Sequence, residues 1–317
     1  MRGSLTTAHP LLGADDCLYN FATKVGMGYT LFRVRPGQLT REAVAHVPSR
    51  HRASPGWMHA FALTDTKAVL LEVPMYFNLL AMLPGAEVPP YCIGDWRPEE
   101  GARLHVISLA DGAVRSVNVP TFFFFHIANA FDRPDGSLCV DVAAYDDPEI
   151  IRALRLEAIT ATPTQDLPRS RLERITIPPA GGGDPTFSRI EDLPASVGEF
   201  FEMPCVSPHV LRQPYRYVYG ICAARPTSYA NSLTKVDLSE PSATRTWHEV
   251  GCHPSEPVFV PRPGGTAEDD GVVLSVVTDA ERSFLLVLDG ASFGEVARAY
   301  CPYALPTSFH GTFIQGR

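Results

Sequence analysis

The chain has 317 residues, 45% of them hydrophobic and 20% charged, which is enough apolar content for a sizeable core and too much for a disordered chain. Its 27 basic residues against 35 acidic ones give a formal charge of −8. With no run of basic residues there is no footprint for a phosphate backbone, and nucleic acid is excluded as an expected partner.

The 29 prolines and 24 glycines are spread along the whole length. Between them lie short runs rich in Val, Phe, Tyr and Thr, the punctuation of many short strands. In chain order, strand–turn–strand units are expected over 19–34 and 57–73. A hairpin follows at 103–109 and 114–119 around Asp111-Gly112, and another at 122–131 and 137–145 around Pro134-Asp135-Gly136. The same grammar recurs over 215–250 and 271–300. Roughly sixteen short strands without alternating helices predict an all-β antiparallel fold. A β-propeller of four-stranded sheets houses that many without long exposed edges. Residues 1–317 are read as a single propeller domain.

Two segments depart from this grammar. The run from Val73 to Leu83 is apolar nearly all round but too short to span a bilayer, and reads either as a buried core helix or as a membrane-dipping or substrate-entrance patch. A helix is expected over 149–159: Asp147 can cap it, Pro148 suits its first position, and Ile150, Ile151, Leu154 and Ala158 recur at helical spacing.

Seven cysteines without a C-x-x-C pair predict reduced thiols and no thiolate zinc site. The first seven residues carry no apolar signal region, and no apolar run reaches spanning length, so an intracellular, cytoplasmic chain is expected.

No G-x-S-x-G, G-x-x-x-x-G-K or H-E-x-x-H occurs. The informative residues are four of the ten histidines: His9 in Thr7-Ala8-His9-Pro10, His59 in Trp57-Met58-His59-Ala60-Phe61, His126 at the end of Phe122-Phe123-Phe124-Phe125-His126, and His310 in Ser308-Phe309-His310-Gly311. Strand alternation would place His59 on a face with Trp57 and Phe61, and His126 with Phe122 and Phe124. An imidazole in such surroundings needs a partner, either a carbonyl or carboxylate or a shared Fe, Zn, Cu or Ni ion. The other six, His46, His51, His105, His209, His248 and His253, read as surface or loop histidines. Four neutral imidazoles would leave the charge of a divalent ion uncompensated, so nearby carboxylates are expected to orient the rings; Glu202 and Glu256, each in an apolar setting, are the candidates.

At these residues the chain resembles the carotenoid cleavage oxygenase family, which also contains the retinoid isomerohydrolase of the visual cycle. The matching stretches are Thr7-Ala8-His9-Pro10, His59-Ala60-Phe61-Ala62-Leu63-Thr64, Phe125-His126-Ile127-Ala128-Asn129-Ala130, Pro254-Ser255-Glu256-Pro257-Val258-Phe259-Val260-Pro261, Glu268-Asp269-Asp270-Gly271 with the strand after it, and Phe309-His310-Gly311-Thr312-Phe313.

The resemblance implies a seven-bladed β-propeller with one Fe(II) per chain on His9, His59, His126 and His310, and Glu202 and Glu256 behind them. It implies an apolar tunnel, for which Phe61, Phe122, Phe124 and Phe309 are candidate walls, and an entrance patch meeting membranes at Val73 to Leu83. The implied reaction inserts both atoms of O2 across one double bond of a carotenoid or apocarotenoid, giving two carbonyl products with no protein acid, base or nucleophile. Two alternatives stay open: a retinoid ester isomerohydrolase, which does not use O2, and a catalytically inactive member that binds polyenes. The family carries a longer stretch before its first ligand motif, and seven four-stranded blades need about 28 strands. A propeller shortened at its N-terminus, without a third glutamate of the ligand surroundings, is therefore expected.

Overall fold

The computed structural model describes residues 4–78, 81, 91 and 94–314. The chain forms two compact units, one of Met1–Val140, Ala144–Arg152 and Ile175–Phe187, the other of Asp141–Ala143, Ala153–Arg174 and Ser188–Arg317.

In the first unit, β1 (Leu5–Thr6), β2 (Leu11–Leu12), β3 (Leu18–Lys24), β4 (Gly28–Val34) and β5 (Glu42–Val47) make one antiparallel sheet. β3 and β4 are the predicted hairpin, in register from Leu18 opposite Val34 to Lys24 opposite Gly28. A second sheet joins β6 (Ala62–Leu63) and β7 (Lys67–Glu72) to β10 (Ala102–Ser108) and β11 (Val114–Val119), in the order β11-β10-β7-β6. β10 and β11 are the hairpin expected around Asp111-Gly112. β8 (Met75–Phe77) and β9 (Gly94–Trp96) form a separate antiparallel pair. A further sheet, part of whose residues are counted in the second unit, has the order β12 (Phe123–Asp132), β13 (Leu138–Tyr145), β14 (Ser170–Ile177), β15 (Thr186–Arg189).

The core of the first unit comes from the inward positions of these strands: Tyr19, Phe21, Tyr29, Leu31, Val47, Leu63, Leu70 and Ile107 are buried together with Met58 and Phe61. At about 1.5–3 kcal/mol for each large apolar side chain removed from water, this cluster is a principal source of the unit's stability.

The second unit holds the sheet β16 (Phe201–Cys205), β17 (Tyr217–Cys222), β18 (Ser232–Asp237), β19 (Arg245–His248), and one built from β20 (His253–Pro254), β21 (Val258–Pro261), β22 (Gly271–Thr278), β23 (Phe284–Asp289) and β24 (Glu295–Tyr300). β22 shows strict alternation: Gly271, Val273, Ser275 and Val277 are buried and the residues between them half-buried. The acidic run before it anchors the strand. Glu268 accepts the amides of Arg216 and Tyr217, Asp269 pairs with Lys235 at 2.6 Å and Asp270 with Arg262 at 2.6 Å. At Gly271 a Cβ would stand 2.3 Å from the Val260 carbonyl, so only glycine fits.

Twenty-four strands are present among the described residues, more than the sixteen or so expected. The excess lies in strands such as β1, β2, β6 and β20, too short to show alternation. Two further expectations are corrected. The Asp147 cap forms, with the Glu149 amide donating to Oδ1 at 2.9 Å, but the helix is broken into α1 (Glu149–Ala153) and α2 (Leu156–Ile159) by an extended Arg155. Of its apolar positions only Ile150 is fully buried; helices this short need such a face to persist. The start of the run from Val73 is strand rather than helix: Met75–Phe77 is strand β8, and Val73, Met75 and Tyr76 are buried. Its backbone pairs instead, since the Trp57 amide donates to the Met75 carbonyl and the Phe77 amide to the Pro55 carbonyl. Leu79, Leu80, Met82 and Leu83 lie outside the described residues. No helix among the described residues is long and apolar enough to cross a membrane. All six described cysteines are free.

Candidate metal centre

Three of the four histidines come together in the first unit. His9 lies between β1 and β2, His59 in the link before β6, and His126 within β12. Thr7 ties two of these segments: its hydroxyl accepts the His9 amide at 3.2 Å and donates to the His59 carbonyl, while the Thr7 carbonyl accepts the Asn20 side-chain amide at 3.0 Å. The local peptide geometry around His9 thus fixes the backbone around His59, 50 residues later in the chain.

The three rings are mutually close and steeply inclined. Centroids are 4.6 Å apart for His9 and His59, 5.1 Å for His9 and His126, and 5.0 Å for His59 and His126. Each offers one ring nitrogen, all within 4.8 Å of one another, and all three side chains are only half-buried. The Nε2 atoms of His9 and His59 are 2.9 Å apart. Two nitrogens bound to one ion at roughly 2.1 Å and at about a right angle stand about 3 Å apart. The set of neutral imidazole donors therefore fits a transition-metal ion.

His310 lies in the second unit, after β24, on an exposed stretch. Its Nδ1 donates to Oε2 of Glu256 at 2.6 Å, and the Gly311 amide donates to Oε1 of the same carboxylate at 2.6 Å. This carboxylate holds the proton on Nδ1 and leaves Nε2 with the lone pair a metal requires. The bond to Glu256 raises the imidazole pKa above its ordinary 6.5 against the opposing effect of burial, and the nearby charge of Glu202 adds to the rise. An open cavity of about 290 Å3 adjoins His310, walled by Val258, Leu274, Val276, Leu285 and Phe313. Within the first unit His9, His59 and His126 are a donor set that can hold a metal ion.

Glu202 is buried on β16, where the ladder shifts register between Glu202 and Cys205 and Met203 adopts a left-handed φ of 48°. Its Oε2 accepts the Met203 amide at 2.6 Å. Irregular backbone of this kind re-aims a side chain at some conformational cost.

The aromatic surroundings differ from the alternation argument. Residues 57–61 are not in regular strand, and Phe61 packs edge-on against Phe21 inside the core. Phe122 and Phe124 pack on each other and Phe122 on Phe187, both deeply buried, while Phe309 is half exposed. The rings around the histidines are Trp57, expected beside His59 and 5.6 Å from it, and Phe125, which was not expected and lies 5.3 Å from His59 and 6.1 Å from His126. Phe123 stacks on Trp57 and meets Phe125 at 5.1 Å, so alternation along β12 does put 123 and 125 on one face. Alternation counted from His126 selects Phe122 and Phe124, whereas the phenylalanine ring against His59 and His126 is that of the adjacent Phe125.

Among the other histidines, His105 is corrected from surface to core. It is 1% exposed on β10, with Nε2 bonded to Glu72 at 3.0 Å and Nδ1 to Ser116 at 2.8 Å.

Antiparallel sheets, most of them of four or five strands, with three histidines gathered in one unit define an all-β fold with a candidate metal site, and comparison with known proteins gives the particular family. The family model described as "Retinal pigment epithelial membrane protein" matches residues 1–315. Carotenoid cleavage dioxygenase 8, chloroplastic, of Arabidopsis thaliana is 38% identical over 323 residues, covering 98% of this chain and 56% of that protein. The mitochondrial carotenoid-cleaving dioxygenase of Mustela putorius furo is 28% identical over 363 residues, covering 97% and 65%. Cobalt-substituted Synechocystis ACO superposes with a TM-score of 0.80 at 25% identity, over 100% of this chain and 66% of that one. The chain belongs to the carotenoid cleavage oxygenase family, and its all-β propeller class is that of the structural relative. It spans little more than half the length of the Arabidopsis relative.

Proposed function

We propose that this protein is a non-haem iron dioxygenase that cleaves one double bond of a carotenoid or apocarotenoid with O2, giving two carbonyl products. The observation that carries the reading is the cluster of His9, His59 and His126, whose donor nitrogens lie within 4.8 Å of one another without a carboxylate among them. Fe(II) is the proposed ion, with His310 as fourth ligand and Glu256 holding that ring; Glu202 is proposed to support the ligand set from its buried position. Imidazole is a common ligand for iron, and the structural relative Synechocystis ACO has a cobalt-substituted form. When bound, the iron supplies the activation of O2.

The chain's own residues supply position and dryness. Thr7 holds the His59 backbone through its carbonyl, and Glu256 fixes the ring of His310 through Nδ1. Trp57 and Phe125 set an apolar wall beside His59 and are proposed to hold the polyene with one bond near the ligand nitrogens. Phe309, half exposed beside His310, and the more distant Phe122 and Phe124 are secondary candidates for the tunnel. Phe61, enclosed by the core, is assigned to packing. In the net reaction the C=C bond is broken and each carbon takes one oxygen atom of O2, so no proton or leaving group has to be managed by a side chain.

The test is iron content after anaerobic purification with Fe(II), followed by polyene turnover in 18O2. About one iron per chain, far less in His126→Ala, and two labelled carbonyl products are expected. An alcohol formed without O2 would indicate ester isomerohydrolysis, and bound polyene without turnover an inactive binder. Either would overturn the reading.

A further inference from the structure

We propose that Tyr29 and Glu72 are positioning residues for the metal centre, clamping the backbone at Gly56 and through it the segment that presents His59. The claim rests on the metal reading above and extends it to residues that touch no ligand ring. The chain of bonds is continuous and every donor direction is satisfied. The Gly56 amide donates to the Tyr29 hydroxyl at 2.7 Å, which donates to Glu72 Oε1 at 2.5 Å. The other carboxylate oxygen accepts from His105 Nε2 at 3.0 Å, and the Ser116 hydroxyl donates to His105 Nδ1 at 2.8 Å. Tyr29, Glu72 and His105 are each at most 1% exposed. A buried carboxylate is retained only where it is well paired, and such groups specify one geometry because any other leaves them unsatisfied.

A separate observation points to the same clamp. A Cβ on Gly56 would lie 2.9 Å from the Tyr29 hydroxyl and 2.9 Å from Glu72 Cγ, so the backbone is pressed directly onto the pair. From Gly56 the chain has little freedom before the ligand. The Trp57 amide is held by the Met75 carbonyl at 2.7 Å, and the His59 carbonyl receives the Thr7 hydroxyl. Glu72 is on β7 and Tyr29 on β4, so the clamp transmits the register of two sheets to one imidazole.

The test compares Tyr29→Phe and Gly56→Ala with Tyr19→Phe, a control in the same core cluster whose hydroxyl bonds Asp15 at 3.0 Å rather than the Gly56–Glu72 pair. Hydrogen exchange over residues 55–61 is measured in the metal-free chain, and Co(II) affinity and visible absorption in the loaded one. Both test variants are expected to exchange faster in that segment, to bind Co(II) about 10- to 100-fold more weakly and to shift its absorption bands, as loss of supporting bonds around a metal site does. The control is expected to change neither. Unchanged exchange in Tyr29→Phe, unchanged Co(II) affinity in both test variants, or equal effects in Tyr19→Phe would overturn the proposal. If the parent takes up no Co(II), the metal reading fails and positioning for a metal centre is overturned with it; the exchange data then still report whether the clamp exists.

Discussion

The Nδ1 atom of His310 stands 2.6 Å from Oε2 of Glu256, while Oε1 of the same carboxylate receives the Gly311 amide. One carboxylate thereby fixes both the ring and the backbone immediately after it. Glu256→Gln keeps the shape but replaces a charge-assisted bond by a neutral one and returns a competing donor. Co(II) affinity is expected to fall about 10- to 100-fold, read by competition dialysis, with little change in thermal stability.

Thr7 joins the His9 and His59 segments through one hydroxyl. Thr7→Val conserves volume and leaves the His59 carbonyl and His9 amide without that partner, so about 1–3 kcal/mol of stability is expected to be lost in urea titration. Thr7→Ser, which restores the hydroxyl, is expected to recover most of it. Equal loss in both variants would place the effect in the methyl group's packing.

Phe61 and Phe125 separate core from wall. Phe61→Ala opens a cavity in the cluster around Phe21 and is expected to cost about 3–5 kcal/mol. Phe125→Leu is only partly enclosed beside His59 and is expected to change KM or the product ratio for a polyene while moving the unfolding midpoint much less. Steady-state kinetics and urea titration on both variants distinguish the roles; a Phe61 effect confined to kinetics would reverse the assignment.

Glu72 gives the fold an acid limb. Burial pushes its carboxyl upward, but the bonds from His105 and Tyr29 outweigh that and hold it below its ordinary 4.5. A depressed carboxyl contributes stability that is complete above the unfolded value and lost as pH falls through the folded one. The parent's urea midpoint is expected to decline below about pH 4.5, and more steeply than that of Glu72→Gln, which begins lower but lacks this proton uptake.

Much of this was written locally. The turn pairs Asp111-Gly112 and Pro134-Asp135-Gly136 marked hairpins because turn chemistry acts over a few residues, and the six family stretches marked the chain's kinship through the same histidines that the structure shows. Features that depend on distant neighbours were not legible. His105 and Glu72 look ordinary in their strands, and only the pairing of β10 with β7 makes them a buried couple. The 149–159 helix had a correct cap and apolar spacing, yet spacing cannot say whether a partner surface exists to bury it.

By itself the sequence determined the strand-rich architecture, the family and the four candidate ligands, because residue type and short-range pattern constrain turns, alternation and metal-donor chemistry directly. The tertiary structure decided which aromatic rings stand beside the histidines, that the start of the run from Val73 pairs as a strand, and how Tyr29 and Glu72 reach the backbone before His59. Those outcomes depend on strand register and on which faces meet, and register is settled by cooperative packing across tens of residues rather than by any stretch of chain alone.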